Sequence, residues 1–283
     1  MGKATREAYG NALARIGKEN TNIIVLDADL SKSTKTDTFK AVCPERFFNV
    51  GIAEQNLISV GAGLAAAGKI PFVSSFSMFA TGRAFEQIRN AVCYPKLNVK
   101  VCATHAGITV GEDGATHQSL EDISCMRTLP NMTVVVPADE RETEAVIEWA
   151  ASYNGPVYVR LGRAGVDDVT TEGYSFVPGK STILVDGSDA TIIACGALVG
   201  PAVEASKTLS KSNISARVIN MASIKPIDAE AIIKAAAETG AIVTAEEHNI
   251  IGGLGSAVSE VVVSNKPVPM EFVGVQDTFG ESG

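Results

Sequence analysis

The 283-residue sequence predicts an α/β protein of two doubly wound domains: a first with a mostly parallel sheet and a smaller second one. Three observations carry that reading. Short β-branched runs alternate with helix-like stretches along most of the chain, which implies right-handed crossovers between parallel strands. The strand runs are nearly all apolar, as a sheet covered on both faces requires. The rhythm breaks once, between Gly162 and Asp189, where GRAGVDD, TTEG, VPGK and VDGSD crowd turn formers together. The expected division is 1–165, a linker at 166–188 and a second domain at 189–283. Roughly 100–200 residues per domain makes two domains a natural count for this length.

In the first domain, Ile23–Leu26, Pro71–Ser75, Asn98–Ala103, Thr133–Val136 and Val157–Val159 read as strands. Helices are expected near Thr5–Gly17, Glu54–Ala67, Phe79–Val92, Leu120–Thr128 and Glu140–Ala151. Ser119 with Asp122, and Asp139 with Glu142, have the spacing of a capping residue and an acid in the first turn. In the second domain the strands are Thr191–Cys195, Ala216–Asn220, Ile242–Ala245 and Met270–Val275. Helices near Val199–Ser210, Ala229–Glu238 and Ser256–Val263 separate them. The sequence stops just after the last of these strands, so a second domain truncated before a closing helix is one expectation.

Composition narrows the function. The chain is 46% hydrophobic, too apolar for a disordered protein. Its net charge of −8 argues against nucleic-acid or anionic-membrane partners, which recruit basic patches. The five cysteines, Cys43, Cys93, Cys102, Cys125 and Cys195, are odd in number and form no C-x-x-C pair. They read as reduced thiols, with neither a disulfide frame nor a zinc site. The first 20 residues lack the apolar core of a signal peptide. The most apolar run, Leu57–Ala67, falls short of the ~20 residues of a membrane span. A soluble cytoplasmic protein is expected.

Polar chemistry concentrates in the first domain. The stretch from His105 to Gln118, HAGITVGEDGATHQ, follows a strand and precedes a helix, at the edge where parallel sheets place ligands. Two of the three histidines flank it, and Gly107, Gly111 and Gly114 let backbone approach a ligand. Asp113, His105 and His117 could bind sugar hydroxyls, bind phosphate or move protons. Glu54 opens a helix of small residues. It is either a simple dipole partner or a buried carboxylate that needs a ligand. Phe76 and Phe79 read as core or as a slot for a flat ring. Of Arg6, Arg83, Arg89, Arg160 and Arg163, the last lies just past the fifth strand and could fork onto a phosphate. In the second domain, Gly252-Gly-Leu-Gly255 is a partial phosphate cradle that reads better as a tight packing turn. Glu246, Glu247 and His248 suggest no chemistry.

The segments ATREAYG, DADLSKSTKT, FFNVGIAEQN, SSFSMFATGRAFEQIRN, THAGITVGEDGATHQSLEDI and VVVPADERE, in this order, resemble the transketolase family of thiamine-diphosphate enzymes. The resemblance covers nearly the whole chain and implies a pyrimidine-binding domain followed by the family's C-terminal domain. It implies that Glu54 hydrogen-bonds the cofactor's aminopyrimidine and takes part in its activation. Phe76 and Phe79 then wall that ring, and Gly82 stands where some relatives carry a third aromatic. His105 and His117 become catalytic, substrate-contacting histidines, and Asp113 reads the donor's hydroxyls. Arg6, Ser33 and Arg163 hold the sugar phosphate, and Asp29 lies near the cofactor at a subunit interface.

The family holds the cofactor's diphosphate through Mg²⁺ on a Gly-Asp-Gly followed by an Asn, and no Gly-Asp-Gly occurs here. The resemblance therefore implies the C-terminal subunit of a split transketolase. An N-terminal subunit with the Gly-Asp-Gly…Asn motif would carry thiamine diphosphate's Mg²⁺, and a heterotetramer self-associating across the active-site interface would be the working form. The implied reaction moves a two-carbon ketol unit from a ketose phosphate to an aldose phosphate. A 1-deoxy-xylulose-5-phosphate synthase-like enzyme, a 2-oxoacid dehydrogenase E1 β-like subunit, and a non-catalytic regulatory subunit remain as alternatives.

Overall fold

The strand Ile23–Asp27 (β1), four apolar residues ending in an aspartate, is buried at every residue. Ile24 and Leu26 face one core, and Ile23 and Val25 face another. A strand of period 2 must divide in this way when helices cover both faces. Val101 and Ala103 likewise face the first core and Cys102 the second. In the computed structural model, which describes residues 2–282, the α/β architecture extends over two mostly parallel sheets, as the sequence leads one to expect.

The first sheet combines β1 with β2 (Phe47–Asn49), β3 (Ile70–Ser74), β4 (Lys100–Ala103), β5 (Thr133–Val135) and β6 (Val157–Arg160), in the order β5-β6-β4-β3-β1-β2. On one face pack α1 (Thr5–Glu19), α3 (Asp37–Val42) and α7 (Glu140–Ser152), through Leu13, Phe39 and Ile147. On the other pack α4 (Glu54–Ala66) and α6 (Asp122–Thr128), through Leu57 and Ile123. The expected helix Phe79–Val92 shares this face but is irregular. Wide π turns at Met78–Arg83 and Ile88–Cys93 flank α5 (Phe85–Gln87). The sequence reading lacks β2, α3 and the one-turn α2 (Ser31–Thr34), elements of only three to six residues that leave little periodicity to detect.

One expected cap forms and one does not. Asp139 accepts the Glu142 amide at 2.9 Å and starts α7, while the Glu142 carboxylate accepts the Ala138 amide at 2.7 Å. Ser119 caps nothing: α6 begins at Asp122 with no side-chain cap. The Asp122 carboxylate is engaged by Arg160 instead.

The second sheet runs β12-β11-β8-β9-β7, built from β7 (Thr182–Val185), β8 (Ala190–Ala194), β9 (Ala216–Asn220), β11 (Ile242–Asn249) and β12 (Met270–Val275). α8 (Val199–Ser210), α9 (Ala229–Thr239) and α10 (Leu254–Asn265) pack with it. β7 lies within the stretch read as linker. It is an antiparallel edge strand, only partly buried and set among turn formers, so its apolar signal is weak. One further strand, β10 (Ser223–Lys225), leaves this lobe and pairs antiparallel with β5, closing the edge of the first sheet. The two lobes are thus joined by shared hydrogen-bond ladder as well as by side chains. Among the described residues no helix is long and apolar enough to cross a membrane.

Candidate active site

The carboxyl ends of β3 and β4 set the first pair of rings. Beyond the strands, Phe76 and Thr104 form a parallel bridge, with the Ser77 amide donating to the Thr104 carbonyl at 2.7 Å. That register puts Phe76 face to face with His105, ring centroids 3.8 Å apart. His105 adopts a left-handed φ of 58°, turning the chain into the glycine-rich loop. Its Nδ1 lies 2.8 Å from Thr104 Oγ1 and its Nε2 3.3 Å from Arg6 Nη1. A guanidinium only donates, so Nε2 accepts and Nδ1 carries the proton. Burial, reinforced by the charges of Arg6, Arg163 and His117, pushes the His105 pKa down to about 3. The ring is neutral at neutral pH.

A continuous chain of contacts leads from these rings to Glu54. Phe76 stacks near Phe79 at 6.1 Å, and Phe79 meets the edge of His117 at 5.1 Å. The Arg83 guanidinium lies 4.8 Å over Phe79 and donates to Glu54 Oε2 at 2.7 Å. Glu54, the first residue of α4, is 1% exposed. Among the described residues, no hydrogen bond engages its Oε1. A buried carboxylate with one anchored and one open oxygen, beside a half-buried aromatic ring, suits an N–H donor on a flat heterocycle. An aminopyrimidine fits that description. Phe76 already carries His105 on its face, so Phe79 is the more available wall.

The anion-binding candidates sit at the other end of the chain of contacts. Arg6 Nη1 donates to the Ser33 carbonyl at 3.0 Å, and Arg6 Nε is buried without a partner. Burial lowers the Arg6 pKa, with Arg163 adding to the effect and Glu7 opposing it. Arg6 thus touches His105, and the charge of Arg163 acts on both. Arg163 is engaged by the Val110 carbonyl and by the Glu112 carboxylate, the latter at 2.6 Å. Asp113 is exposed and its charge acts on Arg163. Asp29 stands apart from this constellation. It is exposed just past β1, at φ 65°, and accepts from Asn49 Nδ2 at 2.7 Å.

Sequence reasoning named Arg83 among the basic residues near the strand ends but gave it no role. It also attached nothing to Arg160, which is 5% exposed and pairs with the fully buried Asp122 at 2.7 Å. Burial alone would raise the Asp122 carboxyl, but Arg160 holds it below the usual carboxylate range. Arg160 Nη2 continues to the Glu247 carbonyl at 2.8 Å, across the domain junction.

The glycine turn of the second domain binds its own side chain. Glu246 accepts the Leu254 and Gly255 amides at 2.7 and 2.8 Å and occupies the N-terminus of α10. A side chain at Gly253 would collide with that carboxylate. A phosphate has no place there, and the packing reading of GGLG holds.

With this geometry in place, known proteins give a consistent picture. The family model described as transketolase, pyrimidine binding domain, matches residues 1–167, and that described as transketolase, C-terminal domain, matches residues 179–283. The chain is 54% identical to a Methanocaldococcus jannaschii protein named as a transketolase C-terminal section, over 99% of this chain and 89% of that protein. It is 43% identical to a 6-deoxy-6-sulfo-D-fructose transketolase subunit of Clostridium sp. (strain MSTE9), over 98% of this chain and 86% of that protein. A solved structure described as a split gene transketolase, inactive beta4 tetramer, superposes with a TM-score of 0.93 at 58% identity, over 99% of this chain and 92% of that one. The chain belongs to the transketolase family and carries that family's pyrimidine-binding and C-terminal domains.

Proposed function

We propose that the chain is the C-terminal subunit of a split, thiamine-diphosphate-dependent transketolase. It moves a two-carbon ketol unit from a ketose phosphate to an aldose phosphate. The observation that carries this reading is Glu54, buried, tied to Arg83 on one oxygen and open on the other. Thiamine diphosphate, when bound, supplies the nucleophilic carbon and electron sink for cleaving the bond beside a ketone. Glu54 holds a proton against the cofactor's pyrimidine, next to Phe79 and Phe76. Asp29 faces the cofactor near the subunit interface. With no Gly-Asp-Gly in this chain, the diphosphate and its Mg²⁺ belong to an N-terminal partner subunit.

Arg6, Ser33 and Arg163 receive the terminal anion of the sugar, Asp113 its hydroxyls. His117 moves the substrate proton. His105, neutral with Nε2 as acceptor, is set to accept a hydrogen bond, and its depressed pKa makes it a poor proton acceptor. The sugar named for the Clostridium relative carries a sulfonate at its end, another anion that a pair of guanidiniums would suit. The solved split-gene relative is described as an inactive tetramer of one subunit type, which fits a chain that self-associates yet needs its partner to work.

The test is reconstitution. Neither this chain nor its N-terminal partner alone, each with thiamine diphosphate and Mg²⁺, is expected to turn over a ketose phosphate. The mixture is expected to do so, and to prefer it over pyruvate. Full activity of this chain alone would overturn the split-enzyme reading, and preference for pyruvate would overturn the substrate class.

A further inference from the structure

The loop 105–118 is costly to order. Gly107, Gly111 and Gly114 take φ values of 83°, 80° and 75°, and glycine loses the most conformational freedom on ordering. One of its own side chains and two outside groups fasten it. Gln118 Nε2 donates back to the Ile108, Gly111 and Glu281 carbonyls. From outside, Arg163 donates to the Val110 carbonyl and pairs with Glu112. The second outside group is Glu247 from β11, on the other domain. It is 6% exposed, and its Oε1 accepts the Thr109 amide at 2.6 Å. Its carboxylate fills the space where a side chain at Gly107 would stand. Glu247 is itself anchored, because its carbonyl accepts from Arg160, which Asp122 holds in a buried ion pair. A cavity of about 270 Å³ opens between the domains against Thr109, Glu247, Arg160 and Thr5. Released from Glu247, the loop has room to move into it.

We infer that Glu247 is a positioning residue: a carboxylate of the C-terminal domain that clamps the loop bearing His105, Asp113 and His117 in its substrate-binding shape. This rests on reading 105–118 as the substrate loop. It gives the second domain a part in the reaction without any contact to the reacting atoms. A hydrogen bond to a charged acceptor is about twice as strong as a neutral one, so a single carboxylate can serve.

The reconstituted two-subunit enzyme with thiamine diphosphate and Mg²⁺ tests the clamp. Glu247→Ala is expected to raise the ketose-phosphate KM about 10-fold, the order expected from an amide left without its acceptor. Cofactor affinity stays unchanged. Glu247→Gln keeps an acceptor at the same reach and recovers most of the KM, whereas Glu247→Asp, one methylene shorter, does not. In the isolated chain, the Thr109 amide exchanges its hydrogen faster in Glu247→Ala. An unchanged KM in Glu247→Ala, alongside a raised KM in His117→Ala, overturns the clamp and leaves the substrate loop standing. If neither variant moves the KM, the substrate-loop reading itself falls. Should the alanine variant fail to fold, equal KM values for Glu247→Gln and Glu247→Asp overturn the clamp.

Discussion

Both sheets present the carboxyl ends of parallel strands, and both gather polar residues there, but the two edges are in opposite states. At the first, hydrogen-bonding capacity is left over. Glu54 keeps an open oxygen, Arg6 Nε is orphaned, and Asp113 faces solvent. At the second, the acid and the histidine are spent, and what is left over is the Asn220 and Thr244 side-chain oxygens. Glu246 gives both oxygens to the α10 amides, and His248 sits between the Ser124 amide and the Asn249 carbonyl. Since buried polar groups are nearly always paired, unspent capacity marks a ligand site better than the residue types do. Substitutions at the first edge are therefore expected to cost function, and those at the second edge and the junction to cost stability, except at Glu247, which reaches across to the first-edge loop.

Glu54→Gln breaks or sharpens that division most. In the reconstituted enzyme it is expected to lower turnover by roughly 100-fold or more, the scale of a lost acid–base group. Its stability is expected to change little, because the glutamine carbonyl still accepts from Arg83, which solvent reaches on its other side. Normal turnover would place the cofactor elsewhere. Asp122→Asn is the converse. It strands the Arg160 charge in the interior, which costs about 3–5 kcal/mol. Denaturant midpoints of the isolated chain measure it, and a loss under about 1 kcal/mol would show that the junction does not depend on this pair.

How far these states were legible in the sequence follows from their physical range. The sheet strands were legible because burial on both faces leaves unbroken apolar runs such as Ile23–Leu26. Strands β7 and β10 were not, since edge strands carry half the signal and β10 has only three residues. The clusters around Glu54, Phe76 and His105 stood out as motifs, but their mutual contacts depend on register between β3 and β4, which no local pattern encodes. The same limit applies to Ser119 and Asp122. Asp122 does open the helix, but Ser119 does not cap it, and the Asp122 partner Arg160 lies 38 residues away. Glu246 and Glu247 look alike in sequence. Strand alternation sends one to its own helix and the other across the junction.

At the second edge, Glu246→Ala removes the group that fills the α10 N-terminus. Loss of a cap and of a favourable charge there is expected to cost about 1–2 kcal/mol, with turnover of the reconstituted enzyme unchanged. A fall in turnover comparable to that of Glu54→Gln would erase the distinction between the edges.

The smallest expected effect is the most specific to the first edge. His105 in the folded chain titrates near 3, against about 6.5 for an unperturbed histidine. The unfolded chain thus takes up a proton more readily between those values. The stabilising contribution of a neutral His105 is complete above about pH 6.5 and is lost as pH falls toward 3. Asparagine tolerates the left-handed φ and does not titrate, so His105→Asn isolates the effect. Above pH 6.5 the variant is expected to be less stable by a constant margin, from lost contacts with Phe76 and Arg6. Below it, the margin narrows, because the wild type alone carries the titrating ring. Parallel denaturant titrations at pH 7.5, 6, 5 and 4 measure this. A margin that stays constant would mean that His105 protonates freely in the folded chain. In that case Arg6 and Arg163 would not impose the electropositive field expected of a site awaiting an anion. Inorganic phosphate sharpens the test, since an anion between the two guanidiniums relieves their repulsion of a charged ring. It is expected to raise the His105 pKa, so that the narrowing still begins near pH 6.5 but is smaller and ends at a higher pH.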